Sequence, residues 1–143
     1  MAWVVCDQSL FWVVAFASAA RVDIYGVHEV RFALMQKAAE WCRAVVGHYP
    51  IIVDGDKTLE LDDCTAKVKA DLEEPAVSAA SVLAKVMRDK YMVLLDAKYP
   101  GYGFAQHKGY VTQAHKQNLR NLGPCLEHRM TYAPVREIVA PAA

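Results

Sequence analysis

Two aspartates stand where an apolar run gives way to a polar turn: Asp54 after Ile51-Ile52-Val53, and Asp71 just after the stretch from Ala66 to Ala70. Open α/β sheets place ligands and catalytic groups at such strand ends. If the two runs are neighbouring strands, their carboxylates converge and can hold a hard divalent cation through oxygen. Mg2+ commonly takes one or two carboxylates and completes its shell with water and substrate phosphate. The plainer reading is that each aspartate caps a turn, Asp54-Gly55 being an ordinary turn dipeptide. Charge is unevenly distributed around them. From Asp54 to Glu74 eight acids stand against three lysines, a local balance of −5, whereas from Lys85 to Arg136 nine bases stand against three acids, a balance of +6. An acidic cluster beside a basic region suits a metal site next to a phosphate-binding face, and equally suits two differently solvated faces of a neutral protein.

Within the basic region Lys85, Arg88 and Lys108 are candidates for phosphate contact, because cations near a nucleic-acid strand both bind it and hold its register. Lys85 and Arg88 are three residues apart and share one helical face, as do Ser78 and Ser81. A solvated helix face with Ser78 as its N-cap accounts for the same residues. Tyr110, in His107-Lys108-Gly109-Tyr110, reads from its type alone as a half-buried core or loop residue. His107, His115 and His128 could be phosphate ligands or satisfied structural histidines. Cys6, Cys42, Cys64 and Cys125 are widely scattered, with no Cys-x-x-Cys pair, which argues against structural zinc and for a reducing, cytoplasmic setting.

The elements that must position these residues follow from periodicity and turn chemistry. Leu10 to Ala17, rich in Val, Phe and Trp, predicts a buried strand. Asp23 is placed to cap a helix whose apolar positions Val27, Val30, Leu34, Ala38 and Trp41 recur at three- and four-residue spacing, before Gly47 and Pro50 stop it. Ile51 to Val53 is a second strand, giving a strand, helix, strand unit with a parallel pair. A third strand is expected near Ala66 to Ala70. Ser78 then opens a long helix to about Lys98, where Pro100 enforces the stop, and Thr112 caps a further helix to about Leu122, closed by Gly123-Pro124. The class is α/β.

With 143 residues, 55% of them hydrophobic, the chain is long enough for one packed domain, read here as residues 1–138 with a flexible tail over 139–143. A formal net charge of zero gives no overall attraction to nucleic acid. The apolar run from Leu10 to Ala20 imitates the core of a secretory leader, but MAWVVCDQ before it has no Lys or Arg and carries Asp7. The run is also too short to span a bilayer, so no membrane association is expected.

The segments SAASVLAKVMRDKYM from Ser78, YPGYGFAQHKGYVTQAH from Tyr99 and GPCLEHRMTYAPV from Gly123 closely resemble ribonuclease HII, in order and at matching separations. The likeness starts at VDGDK around Asp54 and extends more weakly back through ARVDIYGVHEVRFALMQKA. The resemblance implies a ribonuclease H-like fold. It implies two divalent metals, Mg2+ or Mn2+, held by acids, and hydrolysis of the phosphodiester 5′ of a ribonucleotide in duplex DNA or an RNA/DNA hybrid. It places the third and fourth site acids on Asp54 and Asp71, and makes Tyr110 the tyrosine that packs on a sugar at the RNA/DNA junction. One departure lies close by, since the usual Lys-Gly-Asp is here Lys69-Ala70-Asp71; if the glycine serves a positive φ, Ala70 strains the turn.

Family members begin their fold with an Asp-Glu-x-Gly-Arg-Gly strand that carries the first two acids, and nothing in the chain matches it. The expected fold is therefore truncated at its N-terminus, with its first strands missing and only half of the acids present. An open sheet edge and an uncovered apolar face invite pairing, so a complementing N-terminal chain or self-association is expected as partner beside the hybrid itself. A catalytically incomplete hybrid-binding module of the same ancestry is the rival expectation.

Overall fold

The structure, a computed structural model, describes residues 2–139 and combines helices with a small parallel sheet. Its contacts fall into two compact units, residues 1–16 with 31–87 and residues 17–30 with 88–143. Two helices pass from one unit into the other along the chain: α3 (Val27–Val46) enters the first at Arg31, and α4 (Pro75–Lys98) leaves it after Met87.

The first unit also contains α1 (Ala2–Gln8) and the two strands β1 (Ile51–Asp54) and β2 (Cys64–Lys67), which pair in parallel with Ile51 opposite Cys64 and Asp54 opposite Lys67. Residues 55–63 connect the strands without a helix, and this loop is tied down from outside. The Gln36 side chain, on α3, accepts from Glu60 N at 3.2 Å, Arg43 donates to the Asp62 carbonyl, and His48 pairs with Asp63 at 2.7 Å. Val53, Leu59, Ala70 and Leu83 are buried here.

In the second unit α2 (Ala19–Tyr25) is capped by Ser18, whose hydroxyl accepts from Arg21 N, and is ended by Gly26 at φ +82°. After α4 come the single turn α5 (Phe104–His107), α6 (Gln113–Leu122) and α7 (Ala133–Val139). Leu95, Tyr102, Phe104, Leu119 and Val135 form one buried cluster, against which Met92, Tyr99, Cys125 and Ile138 pack. Thr112 caps α6 by accepting from His115 N, and Gly123 ends it at φ +73°, both as the sequence predicts.

Several expectations need correction. Leu10 to Ala17 is not a strand: residues 11–17 have no regular structure, and Leu10 is 83% exposed. A strand is a ladder, and among the described residues β1 and β2 pair only with each other, so β-prone side chains here have nothing to pair with. The parallel pair is accordingly β1 with β2. Asp23 caps neither helix; it lies within α2, and its carboxylate accepts from Met130 N at 2.7 Å and Thr131 N at 3.0 Å. The third predicted strand ends at Lys67, and Asp71 sits in a 3-10 turn, Ala70–Leu72. The long helix begins at Pro75, whose fixed φ and missing N–H suit a first helical position, so Ser78 lies one turn inside it and is no cap. Val139 closes α7, and the rest of the expected tail, residues 140–143, lies outside the described residues.

Candidate functional site

The acid pair belongs to the first unit. Because β1 and β2 run parallel and in register, Asp54 and the chain that leads to Asp71 emerge at the same sheet end. Asp54 is exposed, and its Oδ1 accepts from Ala70 N at 3.0 Å, which ties the end of β1 to the residue just before Asp71. The turn between them is set by Lys69, which takes a left-handed conformation at φ +59°. Ala70 does not have a positive φ, so the expected strain there is absent; its methyl group is fully buried. The left-handed position is one residue earlier than the substitution suggested.

Neighbouring acids are already partnered. Lys67 bridges Glu73 at 2.8 Å and Glu74 at 2.9 Å, and Glu73 is held below the usual carboxylate range by that hydrogen bond and charge. No cluster of three or more His, Cys, Asp or Glu side chains among the described residues is arranged to hold a metal. One oxygen of Asp54 is committed to Ala70 N, which leaves its other oxygen and the Asp71 carboxylate as the acids not otherwise engaged here.

Ser78, Ser81 and Lys85 belong to the first unit, on the N-terminal part of α4, with Ser81 and Lys85 exposed. Arg88 lies further along the same helix, in the second unit, together with Lys108 and Tyr110.

These last three residues come together in one corner. Arg88 Nη2 donates to the Lys108 carbonyl at 2.7 Å, and its guanidinium lies 4.7 Å from the Tyr110 ring centroid, a cation–π contact. Lys108 and Gly109 adopt φ +50° and +80° in succession. Glycine suits position 109 for its conformation, and a side chain there would also crowd the movable end of Met92, Cε lying 3.0 Å from an added Cβ. The result is a tight turn that presents Tyr110 at 59% exposure. Arg88 is therefore engaged in holding this turn, a role its position on the helix did not reveal.

The three histidines left open by the sequence are buried structural groups. His107, His115 and His128 are each less than 10% exposed, and the first two stack with centroids 3.9 Å apart. Phe104 lies against all three. Burial pushes the His115 pKa down, and burial together with the nearby His115 pushes that of His128 down to about 4. Asp23 is a further structural anchor, gripping Met130 and Thr131. A separation of more than a hundred residues gave it no local signal.

A family profile described as Ribonuclease HII matches residues 12–135. A ribonuclease HII of Polynucleobacter asymbioticus is 39% identical over 138 residues, covering 94% of this chain and 70% of the relative. That of Desulforamulus reducens is 43% identical over 134 residues, covering 93% and 67%, and that of Hyphomonas neptunium is 40% identical over 152 residues, covering 94% and 72%. The match falls on the C-terminal portion of the relatives. The chain therefore belongs to the ribonuclease HII family.

Proposed function

We propose that the chain carries substrate-contacting residues and two of the site acids of a ribonuclease HII on a ribonuclease H-like fold. In this reading residues 1–138 are a partial ribonuclease HII-like domain. The reaction is hydrolysis of the phosphodiester on the 5′ side of a ribonucleotide in duplex DNA or an RNA/DNA hybrid. The observation that carries the reading is the joining of Asp54 to the turn bearing Asp71 at one end of a parallel strand pair. Asp54 and Asp71 would hold Mg2+ or Mn2+, which when bound supplies Lewis-acid activation of water and stabilises charge at the phosphate. A second cation of a two-metal mechanism needs acids that these residues do not provide.

The remaining groups bind and orient. Tyr110 offers an exposed ring to a sugar at the RNA/DNA junction, and Lys108 and Lys85 offer charge to phosphates, with Ser78 and Ser81 beside Lys85 on the helix face. Arg88 acts through Tyr110 and the Lys108 carbonyl. A complementing chain that supplies the two further acids, or self-association, completes the site.

The two-carboxylate donor set equally favours a second reading, a hybrid-binding module without turnover. A labelled duplex with one embedded ribonucleotide separates the two. Incision on its 5′ side that needs Mg2+ or Mn2+ and disappears in Asp54→Asn supports the enzyme. If the pure chain at high concentration does not cut, but binds with a steep salt dependence that Asp54→Asn leaves intact, the binding module is correct. An Asp54→Asn variant that still cuts at the wild-type rate would rule out the acid pair.

A further inference from the structure

The hydrogen bonds of the buried histidines have a direction, and it ends on Tyr110. Cys125 N donates to His128 Nδ1 at 3.1 Å, so that nitrogen is an acceptor and the ring proton of neutral His128 sits on Nε2. His128 Nε2 faces His115 Nε2 at 3.1 Å, which makes the latter the acceptor and puts the His115 proton on Nδ1. His115 Nδ1 lies 3.1 Å from the Tyr110 carbonyl oxygen and so donates to it. His107 is likewise defined: Gly109 N donates to its Nδ1 at 3.0 Å, leaving Nε2–H for the Tyr102 carbonyl at 3.0 Å. A backbone N–H cannot give up its role, so the tautomer order is locked at the Cys125 end. We propose that His115 is a positioning residue for Tyr110, holding its carbonyl through a one-way chain Cys125, His128, His115, Tyr110 that exists only while both imidazoles are neutral. The inference rests on the reading that Tyr110 meets the substrate.

Each imidazole has one open place for an added proton, and it is the wrong one. On His115 the proton must go to Nε2, where it confronts the Nε2–H of His128. On His128 it must go to Nδ1, against Cys125 N–H and the Cys125 thiol, whose Sγ is 3.2 Å away and which burial keeps protonated. The surroundings oppose the charge too. A cavity of about 260 Å3 beside His115 and His128 is lined by Arg88 from α4, Lys116 from α6 and Arg129, with Glu127 the one acid among them. Glu127 is engaged by the Tyr91 hydroxyl at 3.2 Å, and Tyr102, its pKa raised by burial, donates to the Gly123 carbonyl at 2.8 Å. Both rings therefore bind protons less readily folded than unfolded. Stability contributed by neutral His128 is complete above about pH 6.5 and is lost as pH falls towards 4, and neutral His115 contributes in the same direction.

Long-range 15N spectra of histidine-labelled protein test this directly. The expected pattern is Nδ1–H at His115 and Nε2–H at His128 and His107. On acidification the amides of Tyr110 and of Thr112, whose N–H donates to the Tyr110 carbonyl at 3.0 Å, should move together with the His115 ring. An Nε2–H tautomer at His115, or protonation of His115 near pH 6.5 without a response at Tyr110, would overturn the proposal. Two isosteric variants add a functional readout, with anisotropy of an RNA/DNA-junction duplex as the probe. His115→Asn keeps a donor where Nδ1 stood and should bind like the parent, but with the acid dependence below pH 6.5 reduced. His115→Gln keeps only the Nε2 position and should bind roughly threefold to tenfold more weakly at pH 7, the cost of about one hydrogen bond. Equal binding by the two variants at every pH would refute a positioning role. If Tyr110→Phe and Tyr110→Ala both bind like the parent while the tautomer pattern holds, it is the assignment of Tyr110 to the substrate that fails.

Discussion

The two units hold their polar residues by opposite means. In the first, Asp54, Lys67 and Glu73 lie at or near the surface, and one carboxylate-to-backbone bond ties the sheet end to the turn of Asp71. In the second, three histidines are buried under Phe104 and Tyr102, and each ring nitrogen of His107, His115 and His128 has a polar partner. An exposed carboxylate keeps its charge for a cation at little cost, whereas a buried imidazole must be neutral and fully bonded to be tolerated. The acid end is thus adaptable and chemically open. The histidine corner is rigid, and its worth lies in holding something else.

The most severe way to break this contrast is Phe104→Ala. It removes a ring 3% exposed that touches all three histidines, and should cost about 3–5 kcal/mol in urea unfolding followed by the histidine ring signals. Loss of less than 1 kcal/mol would mean the corner is looser than its burial indicates. On the acid side, Asp54→Asn keeps an oxygen for Ala70 N, so stability should hardly change while metal-dependent incision falls by about a hundredfold or more. Unfolding of that variant would show the aspartate to be structural.

Smaller effects sharpen the division between holding and binding. Arg88→Lys retains the charge but loses the planar contact with the Tyr110 ring, and should destabilise the corner by about 1 kcal/mol. The slope of log binding against log salt should stay the same, whereas Lys85→Ala should reduce that slope by about one if Lys85 meets a phosphate. A reduced slope for Arg88→Met would return Arg88 to the phosphate contacts. Smallest of all, Lys69→Gly should relieve a left-handed non-glycine residue, raising the unfolding free energy by up to about 1 kcal/mol and the urea midpoint with it. A lower midpoint would place an unsuspected contact on the Lys69 side chain.

Much of this arrangement is legible in local patterns. Thr112 and Gly123 bound α6, Gly47 follows α3, and Ile51 to Asp54 pairs with the strand before Asp71, because caps, breakers and short apolar runs act within a few residues. Leu10 to Ala17 misled for the complementary reason: its composition is that of a strand, yet strand formation depends on a partner that no local pattern reports. The bracing role of Arg88 was not legible, because its spacing from Lys85 describes a helix face, while the partners that folding brings it, Lys108 and Tyr110, are some twenty residues away.

Ordered motifs from Asp54 to Val135 carry the family in the sequence, and caps and breakers fix both bounds of α6 and the ends of α3 and α4. It takes the folded chain to show that Lys69 and not Ala70 adopts the left-handed turn, that Asp54 is spent in part on Ala70, and that the histidines face one another instead of a phosphate. Capping and periodicity are short-range and written along the chain. Tautomers, buried charge and the reach of a guanidinium are set by neighbours that become neighbours only on folding.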